Sequence, residues 1–347
     1  MMSPFTVVLI VPTGIGAAIG GYAGDALPVA RAIAQISDRL ITHPNVLNGA
    51  QLYWSLDNTY YVEGYGLDRF AASQWGLRPV RQNKVGLLLD RGIEPELRLR
   101  HLQAADATRA TLGLELTDYV VTDAPLEVEL RTADSGASWG TIGNPGSLLR
   151  AADKLINQGG AEAIAIVARF PDDESESLQN YRHGSGVDHL AGAEAVISHL
   201  IVRHFQIPAA HAPALKPLAV DPQVSPRAAA EELGYTFLPC VLVGLSRAPQ
   251  FITAPATSSP AIWSDEVNAV VVPYSSCGGS AILSLANQTE IIAVTNNTTE
   301  IAVPPEPLGI KVTKVDSYLT ALGVIAARRA GIDYRALNPS LSTLRSL

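Results

Sequence analysis

Cys277 has the setting of a nucleophile. It stands in Pro273-Tyr-Ser-Ser-Cys-Gly-Gly-Ser-Ala, between an apolar run that reads as a buried strand over 269–272 and a helix expected over 279–286. A helix N-terminus favours thiolate over thiol, and the backbone of Gly278, Gly279 and Ser280 could hold a developing oxyanion or a bound anion. A small buried cysteine at a tight turn fits the same residues and carries no chemistry. For general acid–base work the candidates are His43, at the end of a strand expected over 40–42, and His183, in a glycine-containing loop. The plainer reading of either is a hydrogen-bonded surface histidine. His199 and His204, five apart on one expected helix, read as structural or solvated. Arg169 and Arg182 could bring positive charge to a phosphate or carboxylate. Asp172 and Asp173 are candidates for holding Mg²⁺ through water, although an acidic solvated turn accounts for them too. No zinc-type spacing occurs.

The opening stretch determines where such residues would sit. Residues 7–11 form an apolar run rich in β-branched side chains, short enough for a strand buried on both faces. Pro12 ends it, and Gly14, Gly16, Gly20, Gly21 and Gly24 make a helix unfavourable until Asp25, which can cap one. Strand, glycine loop and capped helix together bare N–H groups beside a positive helix end, a recipe for holding an anion. Thr13, Gly14, Gly16, Gly20 and Gly21 would line that site with Asn45, and Gly143 and Asn144 would form a second loop of the same kind within 140–147. The spacing Gly-x-Gly-x-x-x-Gly-Gly misses the dinucleotide fingerprint, and no Lys-Ser/Thr follows to make a P-loop. His43 also falls where a nicotinamide-binding fold places its ribose-binding acid, so a standard nicotinamide site is rejected.

Further strands are expected over 60–63, 84–90, 119–121, 126–130, 163–168, 237–243 and 291–294. Helices are expected over 97–112, from the Asn144-Pro145 cap to Gly159, over 188–205 and over 317–330. Such alternation predicts an α/β fold with a mainly parallel sheet flanked by helices, and glycine-rich loops at the C-terminal strand ends where ligands bind. The chain reads as one integrated unit, 1–347, with lobes 1–140 and 141–347 as an alternative and the proline-rich stretch 206–227 as a crossing loop.

With 347 residues, 47% hydrophobic and 17% charged, the chain can bury a substantial core. A net charge of −8 and no Lys/Arg-rich run exclude non-specific nucleic-acid binding. No membrane contact is expected, because Pro12 and the glycines interrupt the apolar start. Two cysteines make neither a disulfide framework nor a four-thiolate zinc site.

Pro12-Thr-Gly-Ile-Gly, Gly21-Tyr-Ala-Gly-Asp-Ala, Thr42-His-Pro-Asn, Gly186-Val-Asp-His-Leu-Ala-Gly-Ala-Glu-Ala-Val-Ile-Ser-His and Ser276-Cys-Gly-Gly-Ser-Ala resemble a family known mainly from cyanobacteria and plants and catalogued as domain of unknown function 3326. The resemblance spans almost the whole chain and implies a cytoplasmic setting, or a plastid one in plant relatives. It carries no activity, cofactor or catalytic residue. The residues themselves predict an enzyme acting on a small phosphorylated or carboxylate metabolite: a cofactor-independent transferase, isomerase or hydrolase in which Cys277 works with His43 or His183. A non-catalytic nucleotide or metabolite sensor, as a homo-oligomer or not, is the alternative from another class, and a pure assembly partner is the third.

Overall fold

The computed structural model of the chain describes residues 3–48, 55–172, 176–234, 237–253, 261–341 and 343–344. β1 (Thr6–Leu9) leads through the glycine loop to α1 (Leu27–Gln35), then β2 (Arg39–Thr42), the single-turn α2 (Pro44–Leu47), β3 (Thr59–Tyr61) and α3 (Gly64–Ala71). Next come β4 (Gly76–Arg78), β5 (Val85–Leu89), α4 (Pro95–Leu112), β6 (Val120–Val121), β7 (Val128–Thr132), β8 (Ser138–Ile142), α5 (Pro145–Asn157), β9 (Ala163–Arg169), α6 (Glu176–Arg182), α7 (Ala191–Phe205) and β10 (Ala209–Ala214). The chain continues with α8 (Pro226–Glu232), α9 (Leu238–Ser246), β11 (Gln250–Ile252), β12 (Val267–Pro273), α10 (Ser280–Leu285), β13 (Glu290–Val294), β14 (Val312–Val315) and α11 (Tyr318–Arg329).

Two parallel sheets organise these elements, as the alternation of apolar runs and capped helices predicts. The larger has the order β14-β13-β12-β1-β2-β3 and the smaller β10-β9-β5-β6. Their central strands are buried along both faces, which is why β1, β5, β9 and β12 read as continuous apolar runs without alternation.

The smaller sheet is built from the middle of the chain and the larger from both ends. A division at residue 140 therefore does not separate lobes: it falls inside β8, and β5 pairs with β9 across it.

Three further expectations are corrected. Residues 237–243 form no strand: they belong to α9, Leu-Pro-Cys-Val-Leu-Val-Gly-Leu-Ser, whose proline sits in its tolerant first turn. Its apolar residues on every side suit a helix buried all round, and it packs against β9, β10 and α4. One apolar cluster runs from Val7 and Leu9 of the larger sheet through Leu238, Val241, Leu242 and Leu245 to Val85, Leu87 and Val167 of the smaller.

The stretch 206–227 is likewise more than a crossing. Its residues 209–214 make β10, an edge strand, where Pro213 is tolerated. Residues 119–121 and 126–130 do not pair with each other, since β6 extends the smaller sheet beside β5 while β7 forms an antiparallel hairpin with β8.

Candidate active site

The C-terminal ends of strands from both sheets open onto one cleft of about 1340 Å³. Ile10, Pro12 and Thr13 follow β1, His43 and Asn45 follow β2, and Glu63 follows β3; Pro171 and Asp172 follow β9, and Leu215 and Lys216 follow β10. α7 supplies Ala191, Glu194, Ala195, Ser198 and His199, and Leu97, His101 and Ala104 of α4 face it with Phe237 and Leu238. A roomy, largely apolar cavity with a few converging polar groups is the usual form of a small-molecule site.

The polar groups form a connected chain. Glu63 ends the extended segment after β3 and caps α3, its Oε2 accepting the N–H groups of Tyr65 at 2.8 Å and Gly66 at 3.2 Å. Its Oε1 stands 2.5 Å from Nδ1 of His199, an ion pair that is close but not aligned as a hydrogen bond. Burial works against charge on His199, yet Glu63 and then Asp68 outweigh it and raise its pKa above the usual 6.5. Gly64 permits this approach, because a Cβ there would lie 3.0 Å from the His199 ring. The Ser198 hydroxyl lies 3.4 Å from Oε1 of Glu63, with the Ala195 carbonyl at 3.3 Å and the Glu194 carbonyl at 3.5 Å as competing acceptors; Nδ1 of His211 lies 3.2 Å from the same hydroxyl, and Nε2 of His211 3.5 Å from Oε2 of Glu194. His211 reaches inward from β10 and the others from α3 and α7, so the chain depends on α7 packing between α3 and β10.

Carboxyl groups crowd the far end of this relay. Burial, and then the charge of Glu194, push Asp188 up to about 7. Glu231 is raised well above the carboxylate range by burial and by Asp188. The hydroxyl of Tyr181 lies 2.7 Å from Oε2 of Glu231 and 3.3 Å from the Gly21 carbonyl. A phenol has one hydrogen for these two acceptors. The nearer acceptor, Glu231, takes it, and the Gly21 carbonyl stands at the longer distance. Oε1 of Glu231 meanwhile accepts the Ala23 N–H at 2.7 Å.

Side chains of the protein itself take up some of the N–H groups in the loops expected to hold an anion. In the glycine loop the Gly20 N–H donates to Asp25, the Ala23 N–H to Glu231, and the Ile19 N–H to Asn297 at 2.8 Å. Ala18 and Gly24 donate to the carbonyls of Thr298 and Asn45, and Asn45 returns a bond to the Gly20 carbonyl at 2.8 Å. Gly14 and Gly16 take positive φ, and a Cβ would meet Ser138 at the first and Glu300 at the second. At α10 the Ala281 N–H is bonded to Asp68.

The other expected site residues are distributed unevenly. Thr13, Asn45, His43, Arg182, Gly279, Ser280 and Asp172 line the cleft, whereas Gly14, Gly16, Gly20, Gly21, Gly143, Asn144, Arg169, His183, Cys277 and Gly278 do not. Gly143 and Asn144 bond to the carbonyls of Leu126 and Pro125. Arg169 is committed to Glu94 and Asp172, and Arg182 to Glu232 at 2.7 Å and the Ala219 carbonyl at 2.8 Å. Asp172 also pairs with Lys216 through the same Oδ2 that meets Arg169, and Asp173 lies outside the described residues. His183 is bound to Asp221 at 2.8 Å.

Cys277 is fully buried, and burial lifts its thiol to about 11, the opposite of an activated thiolate. His43 differs from a titrating base as well. Burial lowers it to about 4, and Nε2 accepts the Val11 N–H at 3.1 Å.

Sequence reasoning did not single out Asp68, Asp188, Glu194 or Glu231; it read His199 as structural, left His211 as a loop histidine, and placed Glu63 at a strand end where ligands bind without giving it a role. A signal existed for some of them: Glu194 and Ser198 are four apart on one helix, with Ala195 and His199 beside them, inside the longest of the family-like motifs.

Fold and site define an α/β protein whose two parallel sheets meet over one cleft lined with acids and histidines. The chain belongs to the family described as "Protein of unknown function (DUF3326)", which it matches over residues 6–338. It is 60% identical over 336 residues, covering 96% of this chain and 93% of the relative, to a protein of Synechococcus sp. named an uncharacterized lipoprotein. No solved structure matches. No helix among the described residues is long and apolar enough to cross a membrane.

Proposed function

We propose that the protein is an enzyme that binds a small, largely apolar, neutral or cationic organic molecule in the cleft and moves a proton on it. The observation that carries this reading is the linked series His199–Glu63–Ser198–His211–Glu194, with Glu63 and Ser198 buried and the other three half-buried, along the wall of a ligand-sized cavity. Acids and bases in mutual contact, some with shifted pKa values, are what proton transfer requires. An anionic substrate is disfavoured, because Glu63 and Glu194 line the cavity while its cations Arg100, Arg182 and Lys216 are each paired with a carboxylate of the protein. The mechanism assigns no role to Cys277 and calls for no Mg²⁺ at Asp172.

The test has two stages. Melting temperature is measured against neutral, amine-bearing and phosphorylated compounds; a ligand at a hundred times its Kd adds about 2.7 kcal/mol. Neutral or amine-bearing compounds are expected to stabilise, and a response confined to phosphates overturns the reading. Compounds that bind are then incubated in D₂O and followed by NMR. Exchange of a carbon-bound hydrogen that is lost in Glu63→Gln and His211→Phe supports proton transfer. Binding without exchange supports the second reading, a ligand sensor, which the predominance of apolar residues on the cleft wall favours.

For location we propose the cytoplasm, or the plastid in plant relatives. The resemblance to a family of cyanobacteria and plants supports this reading, and the lipoprotein name belongs to the relative. Fractionation of cells expressing the tagged protein tests this, and recovery with membranes overturns it.

A further inference from the structure

We infer that His43 is a ligand-binding residue that donates a hydrogen bond from Nδ1 to the oxygen of a neutral carbonyl compound in the cleft. This rests on the proton-transfer reading and names its substrate class. The Thr42 hydroxyl donates to the Leu9 carbonyl at 2.8 Å and ties the end of β2 to β1. His43 follows in extended conformation, and the Val11 N–H donates to its Nε2 at 3.1 Å. A nitrogen that accepts an N–H has a free lone pair. The ring is therefore neutral, with its single hydrogen on Nδ1.

That hydrogen has no acceptor among the described residues, although His43 is only 8% exposed. Nδ1 is absent from the polar atoms sealed off from solvent without a partner, so it keeps accessible surface, and the residue lies on the cleft wall. An unsatisfied donor on a nearly buried side chain calls for an acceptor supplied by a ligand. A charged acceptor is opposed by Glu63 and Glu194, since the cations that also line the cleft, Arg100, Arg182 and Lys216, are each paired with a carboxylate. A neutral oxygen remains. Among neutral acceptors, a carbonyl also makes sense of the relay.

When a base of the relay takes a proton from the carbon beside the carbonyl, the C–H bond breaks. Its electron pair forms a C=C bond, and the carbonyl π pair moves onto oxygen. The enolate oxygen then presents more negative charge to Nδ1–H, so the bond tightens as the barrier is crossed. Returning the proton to the same or another carbon completes an isomerisation or exchange that needs no oxidant or reductant. A neutral imidazole donor suits this role, since it polarises the oxygen without competing to protonate it.

Long-range ¹H–¹⁵N NMR on the labelled protein, with the His43 signals assigned by His43→Asn, should show Nδ1 protonated and Nε2 bare, with no titration down to pH 5.5. Cyclohexanone then serves as the carbonyl probe, and methylenecyclohexane, which replaces the oxygen by CH₂, as its control. Cyclohexanone should shift the Nδ1–H signal saturably and the control should not. Cyclohexanone binding should weaken about tenfold in His43→Phe and hold in His43→Asn, whose amide keeps a donor near the Nδ1 position. An Nε2–H tautomer overturns the inference, as does an Nδ1 signal unmoved by saturating ketone or equal binding of ketone and control. If the ketone binds without moving Nδ1, His43 loses this role while the cleft reading stands. If neither probe nor any panel compound binds, the cleft reading falls and the inference with it.

Discussion

Burial decides the chemistry of the individual residues. Cys277 is shut in with its thiol pushed up to about 11, so a thiol reagent at pH 7.5 should leave it unmodified until the protein unfolds. Labelling at the rate of a free cysteine under native conditions would restore it as a nucleophile. Asp188 shows the same force acting on an acid. Folded Asp188 keeps its proton up to about pH 7, whereas the unfolded carboxyl loses it near 3.8. Between those values the folded state binds more protons, so this group's contribution to stability declines as pH rises. Asp188→Asn keeps an oxygen for the Leu190 N–H. It should stabilise the protein at pH 8 by roughly 1–3 kcal/mol and have little effect at pH 4, as read from denaturant unfolding at the two pH values.

His43 has the opposite sign. Its folded pKa of about 4 lies below the unfolded 6.5, so the unfolded state takes up protons first and stability is lost as pH falls through that window. In His43→Gln the loss between pH 6.5 and 4 should shrink; an unchanged slope would assign the effect to other groups.

At the scale of elements, the site depends on how closely α7 approaches the β7–β8 hairpin. A Cβ on Gly192 would stand 2.3 Å from the Cα of Trp139 and 2.4 Å from the Ser138 carbonyl oxygen, and both atoms are backbone. Gly192→Ala should therefore push α7 away, cost about 2 kcal/mol or more, and misplace Glu194, Ser198 and His199 together. Ligand binding should fall with stability in this variant, and a thermal-shift titration checks both.

Helices with caps and strands with unbroken apolar runs were legible in the sequence, because their signals are local. α9 was not: nine residues rich in Leu and Val look alike whether buried as strand or helix, and only the two sheets it fills between distinguish them. The site was legible in part. His43 and the strand ends came from position in a parallel fold, but Glu63 meets His199 across 136 residues of sequence, with nothing local to announce the pair. The glycine loop was read as a place that could hold an anion; in the structure the side chains of Asp25 and Glu231 accept two of its N–H groups.

Across the whole molecule, one apolar cluster passes from the larger sheet through α9 into the smaller. Calorimetry should then record a single unfolding transition, whereas two separated peaks would mean that the sheets melt as independent units. Leu242, fully buried in α9, is the place to weaken that union: Leu242→Ala should cost about 2–5 kcal/mol and lower the one transition without splitting it.

The pairing of β1 has a consequence for how the protein is made. Thr6 and Val7 lie beside Val267 and Ala269 in the larger sheet, while every strand of the smaller sheet lies between residues 85 and 214. As the chain leaves the ribosome from its N-terminus, the smaller sheet is fully synthesised while β1 still lacks its neighbour on one side. For the time needed to translate the intervening residues, an apolar strand edge stays open, and this is when a chaperone would be needed most.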